Sequence, residues 1–210
     1  MKKLFLLAAV SAALAVPAAL LAAAPTVTLQ AAPAIVTYNG AVTLTGALSN
    51  QRSGQTIKVE AQDCGQTAFK KLTSATTAAN GAFTSSAKPT MNTSYRSHFK
   101  GSTSPVVAVK VRPQLVLKRV SAGKFTAKVG ASQSLVGKYV AFQRYKRSIR
   151  KYVTVKRVTL TKVTPGVAPM QITSANFRST IKRGTKVRLS VPQSQVGTCY
   201  VPANSRSVKA

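Results

Sequence analysis

The stretch GKYVAFQRYKRSIRKYVTVKRVTL, Gly137 to Leu160, reads as one β-hairpin with a basic tip. From Lys138 to Tyr145 the side chains alternate with a period of two. Val140 and Phe142 fall on one face and Tyr139, Ala141, Gln143 and Tyr145 on the other, as a strand requires. Tyr152 to Arg157 repeats the pattern, with Val153 and Val155 expected to face the core and Tyr152, Thr154 and Lys156 to face water. β-Branched and aromatic residues suit a pleated surface better than a helix. Between the two strands lie Lys146, Arg147, Ser148, Ile149, Arg150 and Lys151, a run whose cations repel one another.

The rest of the chain has the same texture. No stretch of helical period follows residue 25, and short apolar alternations are separated by Gly, Thr and Ser, so the fold class is all-β. With 210 residues, 45% of them hydrophobic, the chain is too apolar for a disordered basic tail and long enough for two sandwich domains of roughly 90 residues each. The charge is extreme: 31 Lys and Arg against 2 Asp and Glu, a formal +29. Glu60 and Asp63 are the only acids, so paired-carboxylate hydrolysis, multi-carboxylate calcium sites and two-metal chemistry lack their ligands. One histidine and two distant cysteines make no zinc set, and no cofactor is expected.

Met1 to Ala24 opens with Lys2-Lys3, continues through the apolar run Leu4 to Val16 and ends in small residues, the three-part pattern of a secretory signal peptide. Its 21 mostly apolar residues, Leu4 to Ala24, also allow a retained membrane anchor. Export places Cys64 and Cys199 in an oxidising setting and the basic chain among wall polymers and glycans. The expected location is secreted or cell-surface.

Residues 25–112 and 113–210 repeat one another. Gly46, then Gly54-Gln-Thr-Ile57-Lys-Val59, parallels Gly130, then Gly137-Lys-Tyr-Val140-Ala-Phe142, and Thr93-Ser-Tyr95-Arg96 parallels Thr185-Lys-Val187-Arg188. On these residues, with Val42-Thr-Leu44-Thr-Gly46, Asn80-Gly81-Ala-Phe83 and Ser104-Pro-Val106, the chain resembles the tandem immunoglobulin-like β-sandwich domains of secreted and surface-anchored bacterial proteins. The resemblance implies two antiparallel sandwiches after the signal segment. It implies spacer, adhesive or accessory roles and supplies no functional residue.

In a sandwich of this order, loops alternate between the two ends. Lys118, Arg119 and Lys124 then fall in the first loop of the second domain, Lys146, Arg147, Arg150 and Lys151 in the third, and Lys182 and Arg183 before the sixth strand, with Lys209 closing the last. All belong to one pole, the expected polyanion-binding site. The alternative is a uniformly basic surface. Charge is concentrated in this half: residues 113–210 hold 20 Lys and Arg and no acid, against 9 and both acids in 25–112. The same ranking puts Cys64 at the bottom of the first domain and Cys199 at the top of the second, facing each other across Arg112-Pro113, which predicts a Cys64–Cys199 disulfide; two unpaired buried thiols are the alternative.

His98 lies on a strand beside Gln55 to Gln62, within reach of Glu60 or Asp63, yet no Gly-x-Ser-x-Gly elbow accompanies it. Tyr139, Tyr145 and Tyr152 share a hairpin face, either to stack sugars or bases or to pair across the strands. Together these features predict a secreted, non-enzymatic, monomeric binding or adhesion protein. It associates with anionic cell-wall or extracellular polymers through its basic second domain and binds nucleic acid only nonspecifically. The competing expectation is a structural spacer on the cell surface held by an uncleaved N-terminal segment, the one case in which a membrane is a partner.

Overall fold

Short alternating runs punctuated by Gly, Asn and Pro become strands throughout the computed structural model, which describes residues 24–210. The expected signal segment, Met1 to Ala24, lies outside the described residues apart from Ala24. No helix among the described residues is long and apolar enough to cross a membrane.

The first half contains β1 (Gln30–Ala32), β2 (Ile35–Thr37), β3 (Val42–Ala47), β4 (Thr56–Asp63), β5 (Lys70–Thr76), β6 (Ala82–Ala87), β7 (Thr93–Phe99), β8 (Ser102–Thr103) and β9 (Val107–Arg112). They form a three-stranded sheet, β1-β3-β6, and a six-stranded sheet, β2-β9-β7-β4-β5, with β8 on β7. All pairings are antiparallel except β2 with β9. Leu44 from one sheet and Ile57 and Val59 from the other are wholly buried, as the alternation of their strands demands.

The second half contains β10 (Gln114–Ser121), β11 (Lys124–Ala131), β12 (Tyr139–Lys146), β13 (Lys151–Thr159), β14 (Lys162–Pro165), β15 (Gln171–Arg178), β16 (Lys186–Val191), a short helix α1 (Gln193–Val196), β17 (Ala203–Asn204) and β18 (Val208–Lys209). Sheets β10-β11-β15-β14 and β13-β12-β16-β17, with β18 also on β16, enclose a core in which Phe125, Phe142 and Phe177 meet with ring centroids 4.9–5.6 Å apart. Each half is an immunoglobulin-like sandwich by its strand order, and Pro113 alone separates β9 from β10.

The repeat is visible in hydrogen bonds. Gly54 and Gly137 both adopt positive φ, +70° and +82°, which glycine alone takes at no steric cost. Each donates its N–H to the neighbouring strand's continuation, extending the β4–β5 ladder to Thr77 O at 2.9 Å and the β12–β13 ladder to Leu160 O at 3.0 Å. A second correspondence carries no sequence signal. The buried Ser104 accepts the Ser97 N–H at 2.9 Å through its hydroxyl and returns its own N–H to Ser97 O; Ser205 does the same with Leu189.

The hairpin departs from strict alternation. Phe142 opposes Lys156, but Gln143 opposes Thr154, so Val155 has no opposite residue and a bulge reverses the faces beyond it. Val155, expected in the core, is 46% exposed, and Val153 is only half-buried. Ala141, expected outward, is buried because β12 is an inner strand, flanked there by Arg157 and Ser190. Between β13 and β15 an additional short strand, β14, pairs with β15; α1 precedes the last strand, which is itself broken where Ser205 turns in to bond Leu189. Accordingly, Phe142→Ala should cost about 3–5 kcal/mol in urea denaturation, whereas Val155→Ala should change stability by less than about 0.5 kcal/mol.

Candidate polyanion-binding end

β16 runs from Lys186 at one end of the second half to Val191 at the other, and its neighbours fix which loops share each end. At the Lys186 end lie the β10–β11 turn, the β12–β13 tip, the β15–β16 loop and the end of β18. The hairpin tip closes with a 3₁₀ turn, Arg147–Ile149, and Arg150 in the left-handed region at φ +50°. All six tip residues, 146–151, are exposed.

The strand register at this end sets like charges directly opposite one another. Lys124 opposes Arg178, Lys146 opposes Lys151 and Lys186 opposes Lys209. Such pairs destabilise a sheet, since neither partner gains by being near the other. A concavity of about 920 Å³ opens beside them, drawing together Lys146, Arg147, Lys182 and Arg183 with Lys186 and Lys209. Arg144 and Tyr145 complete its hairpin side, and no acidic side chain lines it. Of the expected site residues, Arg150 and Lys151 sit on the tip outside this lining. Lys124 borders a separate concavity of about 540 Å³ with Lys156 and Arg178. Lys118 and Arg119 lie within β10 rather than in a loop, and Arg119 buries its Nε without a hydrogen-bond partner. Arg144, Lys156, Arg178 and Lys186 are absent from the sequence-based site. Arg178 and Lys186 are strand-terminal and Arg144 and Lys156 lie within β12 and β13, positions where a run-of-charge criterion does not look.

The tyrosines are engaged within the protein. Tyr145 and Tyr152 pair across the hairpin in an edge-to-face arrangement with centroids 5.3 Å apart. The Arg188 guanidinium lies 4.0 Å over Tyr152, and Arg157 lies 5.1 Å over Tyr139. Cross-strand pairing and cation–π contacts thus occupy rings that could otherwise offer a stacking platform.

His98 does not meet an acid. Its Nδ1 is 3.1 Å from the Thr103 hydroxyl, while Glu60, 6% exposed, is held by Lys58 at 2.5 Å and by Arg96 Nε at 2.7 Å. Asp63 accepts the Thr93 hydroxyl at 2.7 Å. Both carboxylates therefore serve the first half. The hydrogen bond from Lys58, then that from Arg96, hold the Glu60 carboxyl below its ordinary value although burial works the other way. A depressed carboxyl stabilises the fold above its unfolded value of about 4.3, and the contribution is lost as pH falls through the lower folded value. Glu60→Gln should therefore be less stable than the parent by about 1–3 kcal/mol at pH 7, and denaturation at descending pH should show the difference closing below about pH 4.

The opposite end of the second half is the joint to the first. Cys64 and Cys199 form a disulfide spanning 135 residues of chain. Around it, the Tyr200 hydroxyl accepts the Ser132 N–H and donates to Thr90 O, both at 2.8 Å, and burial pushes its phenol up. Asn92 donates its backbone N–H to Cys199 O and its side-chain amide to Thr198 O, each at 2.9 Å, and Val201 N–H reaches Val111 O. The basic end is thus held at the pole remote from the first half.

The sequence matches no protein-family model and no curated protein. Among solved structures, a marsupial T cell receptor is similar over 87% of this chain and 100% of its own, at 11% identity and a TM-score of 0.31, and no statement about site or activity follows from it.

Removing the joint's cross-links separates their contributions. Cys64→Ser with Cys199→Ser should lower stability by up to about 5 kcal/mol, from the entropy of a loop this long. Tyr200→Phe, which leaves the Ser132 N–H without its acceptor and Thr90 O with only the Ser132 hydroxyl at 3.3 Å, should cost about 1–3 kcal/mol in the same urea titration.

Proposed function

We propose that the chain is a secreted, non-enzymatic attachment protein whose second half binds anionic surface polymers at the end remote from the joint. The observation that carries this reading is the register of three like-charged pairs, Lys124 with Arg178, Lys146 with Lys151 and Lys186 with Lys209, at one end of a half that has no acidic side chain. No acidic side chain of this half offsets their repulsion. A polymer bearing phosphate or carboxylate groups relieves it, releasing its own counterions as it binds. Arg147 and Arg183 add forked donors suited to two oxygens at once. The Cys64–Cys199 disulfide is compatible with an oxidising, extracytoplasmic setting, and the signal pattern of Met1 to Ala24 supplies the route there.

Binding to immobilised poly(glycerol phosphate) tests the reading. Raising salt from about 50 to 200 mM should weaken the parent protein by about two to three orders of magnitude. Substituting Gln for Lys146, Arg147, Lys151 and Arg183 should flatten the salt slope by roughly 3. The same exchange at the exposed Lys70, Lys71, Lys88 and Lys110 should leave it nearly unchanged. Equal losses from the two sets would mean that charge acts only in bulk, and the reading would fall.

A further inference from the structure

The two concavities at the basic end are not independent. The smaller is bordered by Arg178, Ser179 and Thr180 and the larger by Lys182, Arg183 and Gly184, so the single segment 178–186, exposed except at the half-buried Ser179, Ile181 and Thr185, runs along one and into the other. β15 and β16 belong to the two facing sheets, which stack roughly 10 Å apart, a gap that a chain of several phosphates crosses and one tetrahedral anion does not. Lys124, Lys156 and Arg178 mark the first end of this path, and Lys182, Arg183 and Lys186 the second. The bulge at Val155 opens the first end, because it turns that residue out of the core and into the concavity's rim. Lys156 is anchored there by a 3.4 Å hydrogen bond from its Nζ to Arg178 O, which fixes one cation against the path.

The lining also restricts the chemistry. Apart from the hydroxyls of Tyr145, Ser179, Thr180 and Thr185, the polar side chains along both concavities belong to Lys and Arg, which donate hydrogen bonds and accept none. Sugar hydroxyls and base edges need acceptors as well as donors. Sugars and bases also gain affinity from aromatic faces, whereas Tyr152 is covered by Arg188 and engaged by Tyr145. A ligand that presents only acceptors, repeated along a flexible chain, fits both restrictions.

Resting on the reading above and narrowing it, we propose that the segment 178–186 is a track for a linear phosphate chain that occupies both concavities at once and is recognised by its charge spacing alone. Joining two sites through one ligand raises affinity by effective concentration, so binding depends on chain length.

The test compares tripolyphosphate with long-chain polyphosphate on the full protein by calorimetry, with concentrations expressed per phosphate. Long-chain polyphosphate should bind about tenfold tighter or more. The triple variant Lys124→Gln, Lys156→Gln, Arg178→Gln should lose that advantage while weakening tripolyphosphate by less than the next variant does, because the second concavity remains. The variant Lys182→Gln, Arg183→Gln, Lys186→Gln should weaken both ligands. Equal affinity per phosphate for the two chain lengths, or equal effects of the two variants, would overturn the track and leave the broader polymer-binding reading standing. Tighter binding of an oligothymidylate or a heparin fragment matched in charge would overturn recognition by phosphate spacing. Failure of every polyanion to bind at low salt would overturn both the track and the reading it rests on.

Discussion

The absence of any acidic side chain from residues 113–210 is the constraint under which the second half folds. Its 20 cations have no ionic partner of their own half, so cohesion there comes from apolar packing, backbone ladders and contacts of cations with aromatic rings. The three phenylalanines at its centre and the fully buried Val140, Val187 and Leu189 supply that packing. Repulsion is reduced by keeping cations exposed, where water screens them, but the register of the strand ends opposes three like-charged pairs. The first half differs in kind. Glu60, opposite Arg96 and Lys71, neutralises the middle of its sheet, and the two halves divide the labour of stability and charge.

Function follows from where that charge is held. The disulfide, the Tyr200 hydroxyl and the Asn92 amide fix one pole of the second half against the first. The unsatisfied positive pole then points away from it along β12 and β16, each long enough to separate the ends by roughly 20 Å. Such an arrangement presents charge outward on a rigid support. It also explains why a loosely ordered basic tail would not do the same work: the opposed pairs exist only because strand register enforces them.

Much of this was legible in the sequence. The hairpin and the all-β class follow from alternation and turn residues, properties that short segments carry by themselves, and the cysteine pairing from loop rank once the sandwich order is assumed. The turn glycines Gly54 and Gly137 were legible because positive φ restricts the residue type. The rest depends on partners remote in sequence. A bulge at Val155 depends on which residues of β12 lie opposite, and nothing local to Tyr152–Leu160 announces it. The matching roles of Ser104 and Ser205 are hydrogen bonds to a neighbouring strand, invisible in a residue as common as serine. Placing Lys118 and Arg119 in a loop failed because β10 continues to Ser121, a solvent-facing edge strand tolerating charge at its end. Lys156 and Arg178 join the basic end through strand pairing, and Arg144 and Lys186 lie on the strands that flank the expected loops, so charge runs alone do not mark them.

The central claim is that repulsion within the second half is relieved by a multivalent anion from outside. Calorimetric melting of the full protein at matched ionic strength, with long-chain polyphosphate in one sample and sodium chloride in the other, addresses it most directly. The account predicts a midpoint several degrees higher with polyphosphate, since a ligand bound only by the folded register stabilises it by mass action. Equal midpoints in the two samples would show that the opposed charges are already relieved by ordinary screening, and the account would be wrong.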